Sequence, residues 1–361
     1  MRVRRLLLLA LIAAAQFVVF EVALRTWGHS EAAPAFQSLF LPDPAIGYRL
    51  RPGVRVRYAT AEFDTRIAIN DQGVRDDEPI GPKPPNERRI VVLGDSLVFS
   101  VQVDQQQTFC NLLEERLNRG GGPIRYRVIN AGVQGYGPVE ELIFFRQVAR
   151  AFQPDLVIAT VFVGNDAEEA LGSAPRLRDR PFTEALSEST MTRLRRVVRR
   201  SMVLQIVRLR VVSITSRFAS GGTPPEPPLQ SYAEHPAPRI AEGIRITREC
   251  IESIAAEAAA AGARTMVMLM PARFQVDDAD YGRLKEAVAA AGGHLVRDAA
   301  TERFDAALAP LPLPRFDALP PLRAALPGPD VFFQQTVHLT PRGHAIVADA
   351  LERFLRQQGL L

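Results

Sequence analysis

Four short strand-like runs divide this chain: "RIVVLG" (89–94), "RYRVIN" (125–130), "DLVIATVFVG" (155–164), which is apolar nearly throughout, and "RTMVMLM" (264–270). A strand that is apolar at nearly every position must be covered on both faces, and that is the signature of a buried parallel sheet. The stretches between the runs have helical patterning, over 105–118, 138–152, 238–262, 279–291 and from Pro341 onward. A further short strand is predicted at "HLVRDA" (294–299). Strand and helix in alternation predict an open, mostly parallel sheet in a three-layer α/β/α domain, with ligands at the carboxyl edge of its strands.

Each strand end was therefore inspected for chemistry. The first carries Gly94-Asp95-Ser96-Leu97, the second Asn130, Gly132, Gly135 and Gly137, and the third Gly164-Asn165-Asp166. Near the C-terminus "TVHLTPRGH" sets Thr340 and Pro341 as N-cap and first residue of the last helix, which leaves His338 in the loop before it. A serine is a weak nucleophile without a base within reach and donors aimed at the developing oxyanion. Here Ser96 can attack a carbonyl and His338 can take its proton, while the amides of Ser96 and Gly135 and the Asn165 side chain hold the oxyanion. The bland alternatives are Ser96 as an N-cap, Asp166 as a capping residue and His344 as a packing or surface residue.

These blocks, in this order, resemble the SGNH (GDSL-type) hydrolase family over about 88–166 and 237–358, and "INDQGVRDDE" resembles a lead-in seen before such domains. The resemblance implies a flavodoxin-like fold and serine esterase or acyltransferase activity, with Ser96 as nucleophile, Gly135 and Asn165 as oxyanion donors and His338 as base. One position departs from the pattern. The carboxylate expected three or two residues before the histidine is replaced by Gln335 or Thr336. Gln335, Thr336 or Asp330 is then left to orient His338, or the site works as a Ser–His dyad.

The N-terminus places Arg2, Arg4 and Arg5 before an apolar run from Leu6 to Phe20, roughly 23 Å as a helix. This predicts a signal anchor or signal peptide over 1–28, with the body exported. Residues 30–85 read as a small β-rich lead-in and linker, because "GVRVRYAT" and "FDTRIAIN" alternate with period two. The hydrolase-like domain spans 88–358, interrupted at about 167–236 by a basic helical insertion. Residues 176–217 alone hold eleven arginines against three acidic residues, within a chain of net charge +4. The insertion reads as a packed lid or as a helix on an anionic membrane surface. It lacks interleaved aromatics and any reader motif, so no nucleic-acid partner is expected. Cys110 and Cys250 lie in helical patterns as core thiols, and no metal or organic cofactor is expected. The function expected is an extracytoplasmic serine ester hydrolase acting on an acylated small molecule, lipid or envelope polysaccharide. An O-acetyltransferase and a non-catalytic carbohydrate-binding relic of the same fold are the alternatives.

Overall fold

The computed structural model describes residues 16, 32–177, 229–328 and 330–361. The chain falls into two compact units, one of residues 1–37 and 182–226, the other of residues 38–181 and 227–361. Of the first unit only Gln16 and a short helix at Ala32–Ser38 are described. The expected N-terminal membrane helix and the basic stretch of the insertion lie outside the described residues. Among the described residues no helix is long and apolar enough to cross a membrane.

The second unit opens with two antiparallel hairpins, β1 (Phe40–Asp43) with β2 (Gly47–Leu50) and β3 (Arg55–Ala59) with β4 (Asp64–Ala68). Then comes a parallel sheet of β5 (Glu87–Gly94), β6 (Arg125–Gly132), β7 (Leu156–Phe162), β8 (Arg264–Met270) and β9 (Arg315–Asp317), in the order β6-β5-β7-β8-β9. Counted within the sheet this is the 2-1-3-4-5 order of flavodoxin-like folds, in which the chain reverses direction beside its first strand. Parallel neighbours need long crossover connections, and these carry the helices that pack on the sheet. Phe109–Asn118 (α2) packs with the final helix Pro341–Gln357 (α10), while Pro138–Gln147 (α3), Asp166–Ser173 (α4) and Pro238–Ala260 (α5) form another packed group. A one-turn helix at Ser96–Phe99 (α1) precedes α2. The later connections hold Arg273–Val276 (α6), Asp278–Ala290 (α7), Ala299–Leu308 (α8) and Leu319–Ala324 (α9).

Every residue of β7 is buried, as its unbroken apolar run requires. Cys110 and Cys250 are buried and unpaired. The predicted strand at 294–299 does not form. Only Leu295 bridges there, to Ala233, and the fifth sheet position goes to Arg315–Asp317. That three-residue strand sits in "LPLPRFDALPP", where prolines on both sides disguise it as loop; an edge position tolerates them because one side of the strand needs no ladder.

Candidate active site

Strand β5 ends beside β6, with Gly94 opposite Gly132 and the Val133 N–H donating to the Gly94 carbonyl at 3.0 Å. The chain then turns into α1, so that Ser96 is the first helical residue and Asp95 its cap, accepting from the Leu97 N–H at 2.8 Å. Gly132 permits this helix to lie against the sheet: a Cβ there would stand 2.5 Å from the Phe99 nitrogen and 2.6 Å from the Val98 Cβ. Asn130 ties the same layers together, donating to the Val98 carbonyl at 2.8 Å and accepting from the Gly132 N–H at 3.1 Å. Ser96 thus stands on a rigid corner and is 9% exposed.

The Ser96 hydroxyl donates weakly to Asp95, at 3.4 Å, and is not hydrogen-bonded to His338. Burial raises the Asp95 carboxyl to about 6 against the pull of the Leu97 and Ser96 groups that donate to it. Asp95 is one of a set of buried acids. Burial holds Glu141 and Asp166 well above the usual carboxylate range, and each is pushed further by the other acids of the set. Burial, followed by Asp95 and Glu168, lifts Glu169 to about 8. Each is raised because several like charges held together away from water disfavour one another's ionisation. Asp166 does not cap its helix as expected. Its carboxylate reaches back to accept from the Phe162 N–H at 2.9 Å.

The three oxyanion candidates differ in readiness. Gly135 has φ +71°, a conformation that side chains resist, and its N–H makes no hydrogen bond among the described residues. Asn165 follows β7 and donates its side-chain amide to Glu169 at 2.7 Å, leaving its own oxygen buried without a partner. Glu169 therefore fixes which way that amide is turned.

His338 lies in the loop closed by the bridge between Phe332 and Leu339 and by the Phe333 N–H to His338 carbonyl bond of 2.9 Å. Arg273, just past the end of β8, donates to the Phe333 and Gln334 carbonyls, which holds this loop at the carboxyl edge of the sheet. Both ring nitrogens of His338 are enclosed and have no hydrogen-bond partner among the described residues. None of the three residues expected to orient the ring does so. Gln335 gives its backbone N–H to Glu62 at 3.0 Å, the Thr336 hydroxyl accepts from the backbone N–H of His338 at 3.3 Å, and Asp330 accepts from the Gln334 side chain at 2.5 Å. The loop turns its backbone toward these groups and leaves the ring to itself. His344 is buried, stacked on Phe109 and accepting its N–H at 3.2 Å, which makes it a packing residue.

Burial alone pushes His338 down to about 4. Its folded value lies below the value of ~6.5 for a free histidine, so the neutral ring is favoured by the fold; the stability this carries is complete above pH ~6.5 and is lost as pH falls toward 4. In a histidine-labelled sample, the His338 resonance, assigned by its absence in His338→Ala, should keep its neutral-ring shift from pH 8 to 5. An inflection near 6.5 would mean that a carboxylate or open water reaches the ring.

Three residues from the lead-in hold these loops, and sequence reading gave no role to any of them. Tyr48 of β2 donates to the Gln134 carbonyl at 2.6 Å. Glu62, in the β3–β4 turn, accepts from the backbone N–H groups of Gln334 and Gln335, while the adjacent Phe63 meets the Phe333 ring edge-on at 5.7 Å. Arg75 is 1% exposed and donates to the carbonyls of Phe99, the last residue of α1, and of Ser100 and Val103 after it. Arg75 alone left a trace, as an arginine in "INDQGVRDDE" flanked by acids it does not pair with.

The fold and the serine-bearing corner define an α/β acylhydrolase class. The profile of the GDSL-like Lipase/Acylhydrolase family matches residues 92–346, and the chain belongs to that family. A search of curated proteins gave no match. Similar solved structures include TesA (16% identity, TM-score 0.41, covering 75% of this chain and 99% of TesA). They also include the psychrotrophic esterase EstA from Pseudoalteromonas sp. (12%, TM-score 0.41, 76% and 100%) and the lipase/acylhydrolase from Enterococcus faecalis (14%, TM-score 0.40, 75% and 96%).

Proposed function

We propose that the chain is an exported serine ester hydrolase in which Ser96 attacks an acyl ester and His338 serves as the base, without a carboxylate behind it. The observation that carries this reading is the pairing of a serine on a glycine-backed strand-to-helix corner with the unbonded N–H of Gly135 on the adjoining loop. In the reaction the Ser96 oxygen bonds to the carbonyl carbon and its proton passes to His338. The oxyanion is held by the Ser96 and Gly135 amides and by Asn165. Collapse expels the alcohol, which takes the proton from His338, and water then releases the acid by the same route. The Ser96–His338 hydrogen bond is expected to close around bound substrate. A basic, then apolar, N-terminus supports export, and an acylated polysaccharide or lipid of the envelope is the substrate class that such a location offers.

The isolated His338 ring favours a second reading, a binding protein that has kept the fold and lost the chemistry. A fluorophosphonate separates the two. The hydrolase reading expects one covalent adduct per chain, mapped to Ser96 by peptide mass spectrometry and absent in His338→Ala. A folded chain that takes no label, or takes it elsewhere, would leave the binding-protein reading in place. Adding sugar acceptors to a labile acetyl ester then distinguishes hydrolysis from O-acetyl transfer.

A further inference from the structure

Tyr48 lies outside the family match, and the usual parts of such a site do not include it. Its hydroxyl donates to the Gln134 carbonyl at 2.6 Å. The Tyr136 hydroxyl donates back to the Tyr48 carbonyl at 2.6 Å, and the two rings stand 5.6 Å apart. Strand β2 and the loop after β6 are thus latched in both directions. The Gln134 carbonyl and the Gly135 N–H belong to one planar trans peptide and must point in opposite directions. Whatever anchors that carbonyl therefore aims that N–H. The Tyr48 oxygen also stands 2.8 Å from where a Cβ on Gly135 would be, so it occupies the space that the glycine leaves.

We propose that Tyr48 is a positioning residue for the oxyanion hole, holding the Gln134–Gly135 peptide plane so that the Gly135 N–H faces the reacting carbonyl oxygen. The inference rests on the hydrolase reading of Ser96. Burial, with Glu169 adding to it, pushes the phenol up to about 12, so the hydroxyl keeps its proton and remains a donor across the working range. Phe40 backs the ring edge-on at 5.5 Å, which limits where the hydroxyl can go. A donor aimed in advance matters most in the transition state, when charge reaches the oxygen, and least in ground-state binding.

The test is steady-state hydrolysis of p-nitrophenyl acetate by the full-length chain. Tyr48→Phe removes one hydroxyl and should lower kcat about tenfold with KM unchanged within about twofold, below the loss for deleting an oxyanion donor outright. Tyr136→Phe removes a similar buried hydroxyl bond from the same latch without touching the Gln134 carbonyl. It should cost as much in Tm but leave kcat within about threefold. Tyr48→4-aminophenylalanine restores a donor at the same place and should recover most of the rate, even if Tyr48→Phe folds poorly. An unchanged kcat in Tyr48→Phe, equal kcat losses in the two phenylalanine variants, or no recovery in a folded amino variant would each overturn the role of Tyr48 alone. A wild-type chain with no Ser96-dependent turnover would overturn the hydrolase reading and this inference with it.

Discussion

In Ser96→Ala, turnover of a simple aryl ester should fall by about 100-fold, far less than in a complete triad. The reasoning is one of subtraction. In a Ser-His-Asp protease, removing the whole triad costs on the order of 10⁶ in kcat, and the carboxylate accounts for about 10⁴ of that. Here His338 has no carboxylate, and neither of its ring nitrogens is held. The wild-type chain therefore starts from the lower level, and about 10² remains for the serine and histidine to contribute. His338→Ala should match Ser96→Ala within a few-fold, because the two act as one unit and losing either disables both. The measurement is kcat on p-nitrophenyl acetate for the two variants beside wild type. A loss above about 10⁵-fold would show that a carboxylate finds His338 once substrate is bound, and would disprove the dyad.

Arg75→Met should be the most destabilising single substitution in the lead-in, at about 4 kcal/mol. The guanidinium is enclosed and donates at 2.6 Å to the Phe99 carbonyl, at 2.6 Å to the Val103 carbonyl and also to the Ser100 carbonyl, while lying 5.9 Å from the centre of the Phe99 ring. Methionine keeps much of the volume but leaves the Phe99 and Val103 carbonyls without donors, each at a cost of about 1–3 kcal/mol, and leaves the Ser100 carbonyl only the Val103 N–H at 3.3 Å. Relaxation and water entry recover part of the sum. Ser100 adds to the effect, since it leaves the helix at φ +54°, a strained conformation for a serine, and Arg75 grips its carbonyl. Burial lowers the arginine only to about 10, so it stays charged under ordinary conditions. Urea unfolding of the two chains measures the difference. A loss under about 1 kcal/mol would show that the three carbonyls find other donors and that Arg75 is not the pin.

The sheet was legible because a strand covered on both faces must be apolar nearly throughout: β7 obeys that rule, as do β5 from Ile90 and β8 from Thr265, while the edge strand β6 is buried only from Val128 onward. Strand β9 was not, since an edge strand of three residues between prolines leaves no periodicity to read. The serine corner was legible for a related reason: Gly94, Gly132 and Gly135 mark places where the chain is approached closely, by the Val98 side chain, by the Phe99 backbone and by the Tyr48 hydroxyl, and few other demands put glycine at those strand ends. The state of His338 was half-legible. The absence of a carboxylate at 335 and 336 is written in the sequence, but the isolation of the ring depends on how a loop turns its amides toward Glu62. Tyr48 and Glu62 left no local signal, because each acts far along the chain on backbone groups alone, Tyr48 on the Gln134 carbonyl and Glu62 on the N–H groups of Gln334 and Gln335. A carbonyl has no sequence identity, so nothing in the code of its owner announces its partner.

The span of those contacts has a consequence for the order in which the site is built. Arg75 meets Phe99 across 24 positions, Tyr48 meets Gln134 across 86, and Glu62 meets Gln334 across 272. The Ser96 corner can be pinned soon after it leaves the ribosome, and the loop bearing Gly135 somewhat later. The histidine loop is held only when nearly the whole polypeptide exists, because the hairpin that receives it is among the first parts made and the loop among the last. Closing so long a loop adds only slowly to the entropic cost but demands that everything between already be compact. The Ser96 corner is therefore held by near contacts and the His338 loop by far ones, so the two halves of the candidate site are fixed at opposite ends of synthesis.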